Sequence, residues 1–315
     1  MLSTVLKNSL SAGMIACDLG SNTLRIVEFD SLTCKRLRAF EKIVRTAKDI
    51  HKTGVIGEAA RENIYNALLE ASQIFDFKHQ ATFCVTTQAM RIAKNAQEIL
   101  SFIETHFGLT FTIISGEEEA YLTSLAIEHA LKREGFDSQT YALFDLGGGS
   151  TEIILSHKGS KKTQSFPFGI VTTAERYHTS LHHGVDKVVK SMDIFIDTEE
   201  NIPQTYQQLI ATAGTPTTVA AFLEGLDYEH YDAQKINGKC LHVNDFERAF
   251  NELSSMPLAL AERFTGTNRR DLVIVGILLV KKIMLKLGFT RCIVLDDGLR
   301  EGVAISNCNK KVHSV

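Results

Sequence analysis

Three glycine-bearing segments hold residue types suited to gripping a phosphate chain. In "DLGSNT", Asp18 ends an apolar run, and Gly20 lets the backbone approach a ligand closely. Ser21, Asn22 and Thr23 follow with backbone N–H groups and side-chain donors that suit phosphate oxygens. An ordinary hairpin turn is the competing reading of so short a pattern. "DLGGGST", closed by Glu152, is more informative, because three consecutive glycines (Gly147, Gly148, Gly149) are entropically costly in a hairpin and need a reason such as close approach of an anion. Ser150 and Thr151 add hydroxyls. Asp145 and Glu152 flank the turn with carboxylates, as expected if Mg²⁺ sits between protein and phosphate, since Mg²⁺ is usually held by one or two carboxylates plus phosphate oxygens. In "ATAGTPTTVAA", Gly214 and Thr215 precede a helix whose first N–H groups would face an anion. Thr215 and Pro216 also suit plain capping of that helix.

Glu117, Glu118 and Glu119 follow Ser115 and Gly116, a plausible helix entry, where acidic residues are favoured by the helix dipole alone. A carboxylate aimed across a cleft at a phosphate is also what a hydrolase needs to orient and deprotonate water. Arg25, Arg91, Arg269 and Arg270 supply cations for a polyanion, each with a solvated surface role as the competing reading. His178 and His182 stand four residues apart, but no HExxH pattern or acidic third ligand accompanies them, so they are read as solvated or structural. There is no GxxxxGK and no GxGxxG.

The elements that must position these residues repeat. Met14–Cys17 and Ile26–Phe29 flank the first glycine turn, and Tyr141–Phe144 with Ile153–Leu155 flank the second. Superposing them aligns Asp18 with Asp145, Gly20 with Gly147, Thr23 with Ser150 and Ile26 with Ile153, an offset of 127 residues throughout. Between the two turns, the patterning predicts helices over Gly57–Phe75 and Ala96–His106, strands over Ala81–Thr86 and Phe111–Ser115, and a helix over Glu117–Arg133. The second half predicts helices around Lys187–Phe195, Thr205–Ala211, Thr217–Glu224, Val243–Arg263 and Asp271–Leu287, a strand at Cys292–Leu295, and a terminal helix from Leu299. Strands mixed with helices in both halves indicate an α/β architecture.

With 315 residues, 44 % apolar and 23 % charged, the chain can bury a large core of about two domains, and disordered or collagen-like classes drop out. Four prolines leave no Pro-rich linker between them. A net charge of −3 gives no general basic field for nucleic acid or an anionic membrane. Six cysteines without a CxxC pair read as reduced thiols in a cytoplasmic protein. "MIAC" loosely resembles a lipoprotein cleavage box, yet Lys7, Asn8 and Ser9 interrupt the preceding stretch. The longest apolar run, Leu272 to Val280, is too short to span a bilayer.

Taken together, "DLGSNTLRIV", "TTQAMRIAKN", "ISGEEEAYL", "DLGGGSTEII", "FPFGIVTTAERY", "GTPTTVAA", "RRDLVIVG" and "DDGLREGVA" resemble, in order and over almost the whole chain, the exopolyphosphatase / guanosine pentaphosphate phosphohydrolase (Ppx/GppA) family. The resemblance implies the actin-like ATPase fold of the sugar kinase, heat-shock chaperone and actin superfamily, with two RNase H-like lobes around a central cleft. It implies lobes at residues 1–121 and 122–315, with the terminal helix, about 299–315, packing back on the first. It carries the catalytic base to Glu119 and Mg²⁺ or another divalent cation to Asp145 and Glu152. Asp18, Gly20, Ser21, Asn22, Thr23, Gly147, Gly148, Gly149, Ser150 and Thr151 become two phosphate cradles, Arg25 and Arg91 neutralising partners, and Arg269 the match to an "RxD" arginine. The chain stops soon after "GLREG", short of the helical domain that longer members add. The expected activity is release of the terminal phosphate of polyphosphate, or of the 5′-γ-phosphate of pppGpp, with no nucleic acid or membrane partner and a homodimer left open. An actin-like kinase or ATPase, and a regulator that binds ppGpp or pppGpp with feeble turnover, are the rival readings.

Overall fold

The computed structural model describes residues 13–312 apart from Leu32 and Glu200, and side chains as far as Cys308. Lys7, Asn8 and Ser9 and the last three residues of the expected 299–315 helix therefore lie outside the described residues. Chain order gives β1 (Gly13–Leu19), β2 (Thr23–Asp30), β3 (Arg36–Ile43), β4 (Ala81–Thr86) and β5 (Phe111–Ile113), then β6 (Thr140–Leu146), β7 (Thr151–His157), β8 (Ser160–Phe166), β9 (Leu209–Thr212), β10 (Lys239–His242) and β11 (Arg291–Val294). The first five form a sheet in the order β3-β2-β1-β4-β5, and the rest a sheet in the order β10-β11-β9-β6-β7-β8. Without its antiparallel edge strand β10, the second sheet repeats the first: two antiparallel pairs, then parallel β6–β9 and β9–β11 where the first has β1–β4 and β4–β5. The repeat seen in "DLG" thus extends to whole sheets, and the fold is the actin-like one with two RNase H-like lobes.

Each central strand is buried on both faces. Ile15, Cys17 and Leu19 of β1 enter one apolar cluster while Met14 and Ala16 enter another, the alternation that period-2 geometry demands. Ala142, Phe144 and Leu146 of β6 divide from Tyr141 and Leu143 in the same way.

The helices of the first half are α1 (Ile50–Thr53), α2 (Glu58–Ala71), α3 (Gln88–Ile92), α4 (Ala96–Phe107) and α5 (Gly116–Glu134). Those of the second are α6 (Ile170–Arg176), α7 (Leu181–Lys190), α8 (Asp193–Asp197), α9 (Ile202–Tyr206), α10 (Gly214–Leu223), α11 (Ala233–Ile236), α12 (Val243–Ser255), α13 (Leu258–Thr265), α14 (Arg270–Lys286) and α15 (Leu299–Val312). α5 starts where Ser115 Oγ accepts the Glu118 N–H at 3.1 Å and ends at Gly135, whose φ of 80° lets the chain turn away. α15 lies against α5, β1 and β2, with Leu299, Val303, Ala304 and Cys308 packed on Met14, Ala16 and Val27.

Several expectations need correction. The predicted helix over Thr205–Ala211 is the short α9 followed by strand β9, because Leu209–Thr212 pairs with β6 and β11 in the sheet centre. The single helix over Val243–Arg263 is broken at Pro257, which pushes Met256 into extended backbone and separates α12 from α13. Lys187–Phe195 divides between α7 and α8. His178 and His182, read as solvated or structural, stand on either side of the start of α7 at Leu181, a placement that does not contradict that reading. Among the described residues no helix is long and apolar enough to cross a membrane.

Candidate active site

The two glycine turns are built alike and meet. Asp18 faces Arg25 across β1–β2 and Asp145 faces Glu152 across β6–β7, so the repeat preserves the register as well as the sequence. Gly20 N–H donates to Thr23 O at 2.9 Å, and Gly147 N–H to Ser150 O at 3.0 Å. None of Gly147, Gly148 and Gly149 has the left-handed backbone that would require glycine. Space requires it instead. A Cβ on Gly148 would lie 3.1 Å from those of Ser21 and Asn22, and one on Gly149 would lie 2.5 Å from Ser21 Oγ. The second turn is bare so that the first can rest on it. From behind, Ile170 and Val171 N–H groups, at the start of α6, donate to Gly147 O (3.0 Å) and Gly148 O (2.9 Å).

Above this joint lies a narrow cavity of ≈ 80 Å³. Asp18, Gly20, Ser21, Asn22, Thr23 and Arg25 line it from the first half. Asp145, Gly147, Gly148, Gly149, Ser150, Gly214 and Arg269 line it from the second, and Glu119 enters from the start of α5. Four expected residues stand outside the lining. Thr151 is buried and its hydroxyl donates to Phe168 O at 2.7 Å. Thr215 packs against α14, where a Cβ on Gly276 would fall 2.1 Å from its Oγ1, and it lies inside α10 rather than capping it. Glu152 is 1 % exposed and accepts the Ser165 hydroxyl at 2.7 Å, just behind Asp145. Arg91 turns to Glu119, donating from Nη1 and Nη2 to its Oε2 at 3.0 and 2.9 Å.

That clamp is itself held: Arg91 Nη1 also donates to Ile114 O at 2.7 Å and Nε to Gln88 Oε1 at 3.0 Å. Glu119 is 8 % exposed, and among the described residues no hydrogen bond reaches its Oε1. Burial, then the neighbouring Glu152 and Asp145 charges, push the Glu119 carboxyl well above its ordinary range despite Arg91. Burial raises Asp18 to about 7 against the pull of Arg25, and burial with the Asp145 charge raises Glu152 to about 8. Asp145 is raised by burial too, with Arg25 and the Thr123 hydroxyl opposing. Asp18 Oδ1 is buried with no hydrogen-bond partner. Crowded acids with an orphaned oxygen fit a hard divalent cation. Among the described residues no three acids, histidines or cysteines group as a metal site.

Cations gather at the far wall. Arg25 Nη2 and Arg269 Nη2 lie 3.6 and 3.1 Å from where a Gly214 side chain would begin, so glycine there leaves the passage open. Glu41 on β3 ties Arg25 (3.0 Å) and stands 3.9 Å from Arg269 and 3.8 Å from Arg300. Burial alone would raise Glu41, but those guanidiniums hold it below its usual range. Through Arg25, Gly214 and Arg269 the cleft adjoins a cavity of ≈ 410 Å³ walled by Tyr228, Tyr231 and Phe264. Arg270, by contrast, pairs with its neighbour Asp271.

Thr87, Thr212 and Ala213 also line the cleft and were not expected. Ala213 takes φ 77°, ψ −177°, backbone that is nearly glycine-only, and nothing in its residue type announces this. Glu41 went unnoticed because β3 reads "RLRAFEKI", too polar to stand out as a strand.

The sequence model of the Ppx/GppA phosphatase family matches residues 26–311. A guanosine-5′-triphosphate,3′-diphosphate pyrophosphatase of Photobacterium profundum is 28 % identical over 69 % of this chain and 44 % of its own. A bifunctional 3-dehydroquinate synthase/phosphatase of Fusobacterium nucleatum is 24 % identical over 93 % of this chain and 46 % of its own. The chain thus spans less than half the length of these curated relatives. Among solved structures, the Aquifex aeolicus Ppx/GppA family member superposes with a TM-score of 0.70 at 26 % identity, covering 95 % of this chain and 98 % of that one. An exopolyphosphatase from Cytophaga hutchinsonii shares the fold with a TM-score of 0.81 at 23 % identity, over 95 % and 98 % of the two chains. With the family model spanning most of its length, the chain belongs to the Ppx/GppA phosphatase family.

Proposed function

We propose that this protein hydrolyses a terminal phosphoanhydride bond, with Glu119 as the base. The observation that carries the reading is the Arg91 clamp on one oxygen of a buried glutamate whose other oxygen is left free beside two joined glycine turns. The N–H groups of Ser21, Asn22, Gly148 and Gly149, with the hydroxyls of Ser21, Thr23 and Ser150, bind the terminal phosphoryl oxygens, and Arg25 and Arg269 take the next phosphates. Asp145, with Asp18 Oδ1, would hold Mg²⁺, which when bound supplies neutralisation of phosphate charge, while Glu152 behind Asp145 adds negative charge. Glu119 orients a water in line with the scissile bond and takes its proton as the water oxygen attacks phosphorus. The P–O bond to the leaving chain then breaks, and the electron pair leaves on that chain's oxygen.

The adjoining aromatic cavity favours pppGpp over long polyphosphate. Its walls include Glu41, Asp227, Glu229 and Asp296, which repel a bare polyanion but tolerate an uncharged guanine base against Tyr228, Tyr231 and Phe264. Glu119→Gln tests the assignment: phosphate release from pppGpp and from tripolyphosphate should fall about 10²–10⁴-fold in kcat with little change in KM. Near-normal turnover in that variant would refute it.

A further inference from the structure

The second sheet carries a cavity at the end opposite the catalytic cleft. β6 begins there at Thr140 and finishes at Asp145 and Leu146 in the cleft; β9 begins there at Leu209 and finishes at Thr212. The volume is ≈ 650 Å³, within the range of small-molecule sites. Part of its wall is apolar and partly aromatic, made by Phe136, Tyr206, Leu209, Phe289, Cys292 and Ile293. Tyr206 turns its hydroxyl away to Glu199 at 3.3 Å, leaving its ring as wall.

The polar groups at this cavity are unevenly used. Lys158 and Arg291 line it, and among the described residues neither makes an ion pair or side-chain hydrogen bond. The opposing acid is Asp137, whose Oδ1 accepts the Gln139 N–H at 2.7 Å. His157 sets its ring edge-on to Tyr206, centroids 6.4 Å apart, and its buried Nδ1 has no partner. Buried polar atoms are rarely left so. Gln207, on the lip, adopts φ 57°, ψ −24°, a conformation that a Gln seldom takes without surrounding constraint. The left-handed Lys158 is ordinary by comparison, since Lys158 and Gly159 form the two-residue turn of the β7–β8 hairpin.

We propose that this cavity is a second ligand site, separate from the phosphate cleft, for a small amphipathic anion. An apolar body of about the size of two fused rings seats on Phe136, Tyr206 and Phe289, and one carboxylate or phosphate head lies between Lys158 and Arg291. An inorganic phosphate chain does not suit it, because Phe136, Tyr206, Leu209, Phe289, Cys292 and Ile293 make much of its wall apolar. The proposal stands independently of the catalytic reading.

Isothermal titration of the full chain with 2-naphthoate, 2-naphthyl phosphate and the neutral 2-naphthamide tests it, with decanoate as an aliphatic arm. At least one anionic probe should bind with Kd of roughly 0.1–1 mM or tighter, and the amide about tenfold more weakly. The carboxylate and phosphate arms identify the preferred head. Arg291→Glu, at an exposed position, should weaken the anion about tenfold while phosphate release stays at the parent rate. Cys240→Trp, on the exposed edge strand β10, should fill the cavity and abolish binding; if it does not fold, Arg291→Glu and competition decide. Saturating tripolyphosphate should leave the affinity unchanged. Absence of binding by every probe, equal binding of acid and amide, indifference to Arg291→Glu, or displacement by tripolyphosphate would each overturn the proposal.

Discussion

Four carboxylates, Asp18, Asp145, Glu152 and Glu119, crowd one buried joint, and the consequence can be read against pH. Asp18 at about 7 and Glu152 at about 8 hold protons in the folded chain that the unfolded chain gives up near pH 4 to 4.5. Where the folded state binds more protons, stability falls as pH rises, so these groups stabilise the metal-free protein fully below about pH 4 and cease to do so above about pH 8. Metal-free protein should therefore melt lower at pH 8 than at pH 6, by about 2 °C or more, and Asp18→Asn should flatten that slope. Mg²⁺ should recover the loss at pH 8. A flat or rising melting curve in the parent would refute the crowding. Arg91 shows where residue type alone stops. Its cation is legible as something for a polyanion, but whether it meets phosphate or Glu119 depends on the fold bringing the start of α5 within reach of α3. Arg91→Lys keeps the charge and loses the two-pronged grip, so kcat for phosphate release should fall about 10²-fold with KM nearly constant. A raised KM with unchanged kcat would return Arg91 to the phosphate. Thr151 and Thr215 were illegible for a similar reason, since strand register and helix packing send their hydroxyls away from the cleft.

At the scale of elements, the repeated hairpin was readable because burial on both faces writes near-continuous apolar runs into β1 and β6, with glycine between them and their partners. β8, "SKKTQSF", was not readable: it is a sheet edge whose exposed residues are polar, so its pairing to β7 supplies an order its side chains do not announce. β9 is four residues long, too short for its period to be told from a helix. Just after it, Ala213 stores backbone strain at the wall of the cleft. Ala213→Gly should raise the unfolding free energy by about 1 kcal/mol, strain relief exceeding the added freedom of the unfolded chain. A lower melting temperature in that variant would mean the strain is absent. Tight packing of α15 gives the opposite prediction. A Cβ on Gly302 would fall 1.9 Å from the backbone oxygen of Leu122 on α5, and backbone cannot yield as a flexible side chain does. Gly302→Ala should destabilise by about 1–3 kcal/mol in denaturant titration, as overpacking does.

For the whole molecule, what matters is how the two halves are held, and at the mouth of the cleft the contacts between them are polar. Glu175 of α6 accepts the Asp49 backbone N–H at 3.0 Å through Oε1 and meets His51 Nδ1 at 2.9 Å through Oε2. Arg45 Nη2 donates to Asn268 O at 3.2 Å. Arg45, Asp49 and Asn268 all have positive φ, at 54°, 56° and 57°, a conformation that Asp and Asn adopt readily and Arg seldom does. On the other side, α15 closes the chain against the first sheet through an apolar seam, which does not release easily. A hinge along α5 and α15, with a polar latch at the mouth, is the arrangement such a distribution favours. A single part-exposed polar contact contributes little to folding, so Glu175→Ala should move the melting temperature by no more than about 2 °C. It should nonetheless release the latch, widening the metal-free particle in small-angle scattering and raising KM for pppGpp roughly threefold to tenfold while kcat changes less. Unchanged dimensions together with unchanged KM would mean that the apolar seam alone sets the distance between the halves, and that the polar contacts at the mouth serve some other end.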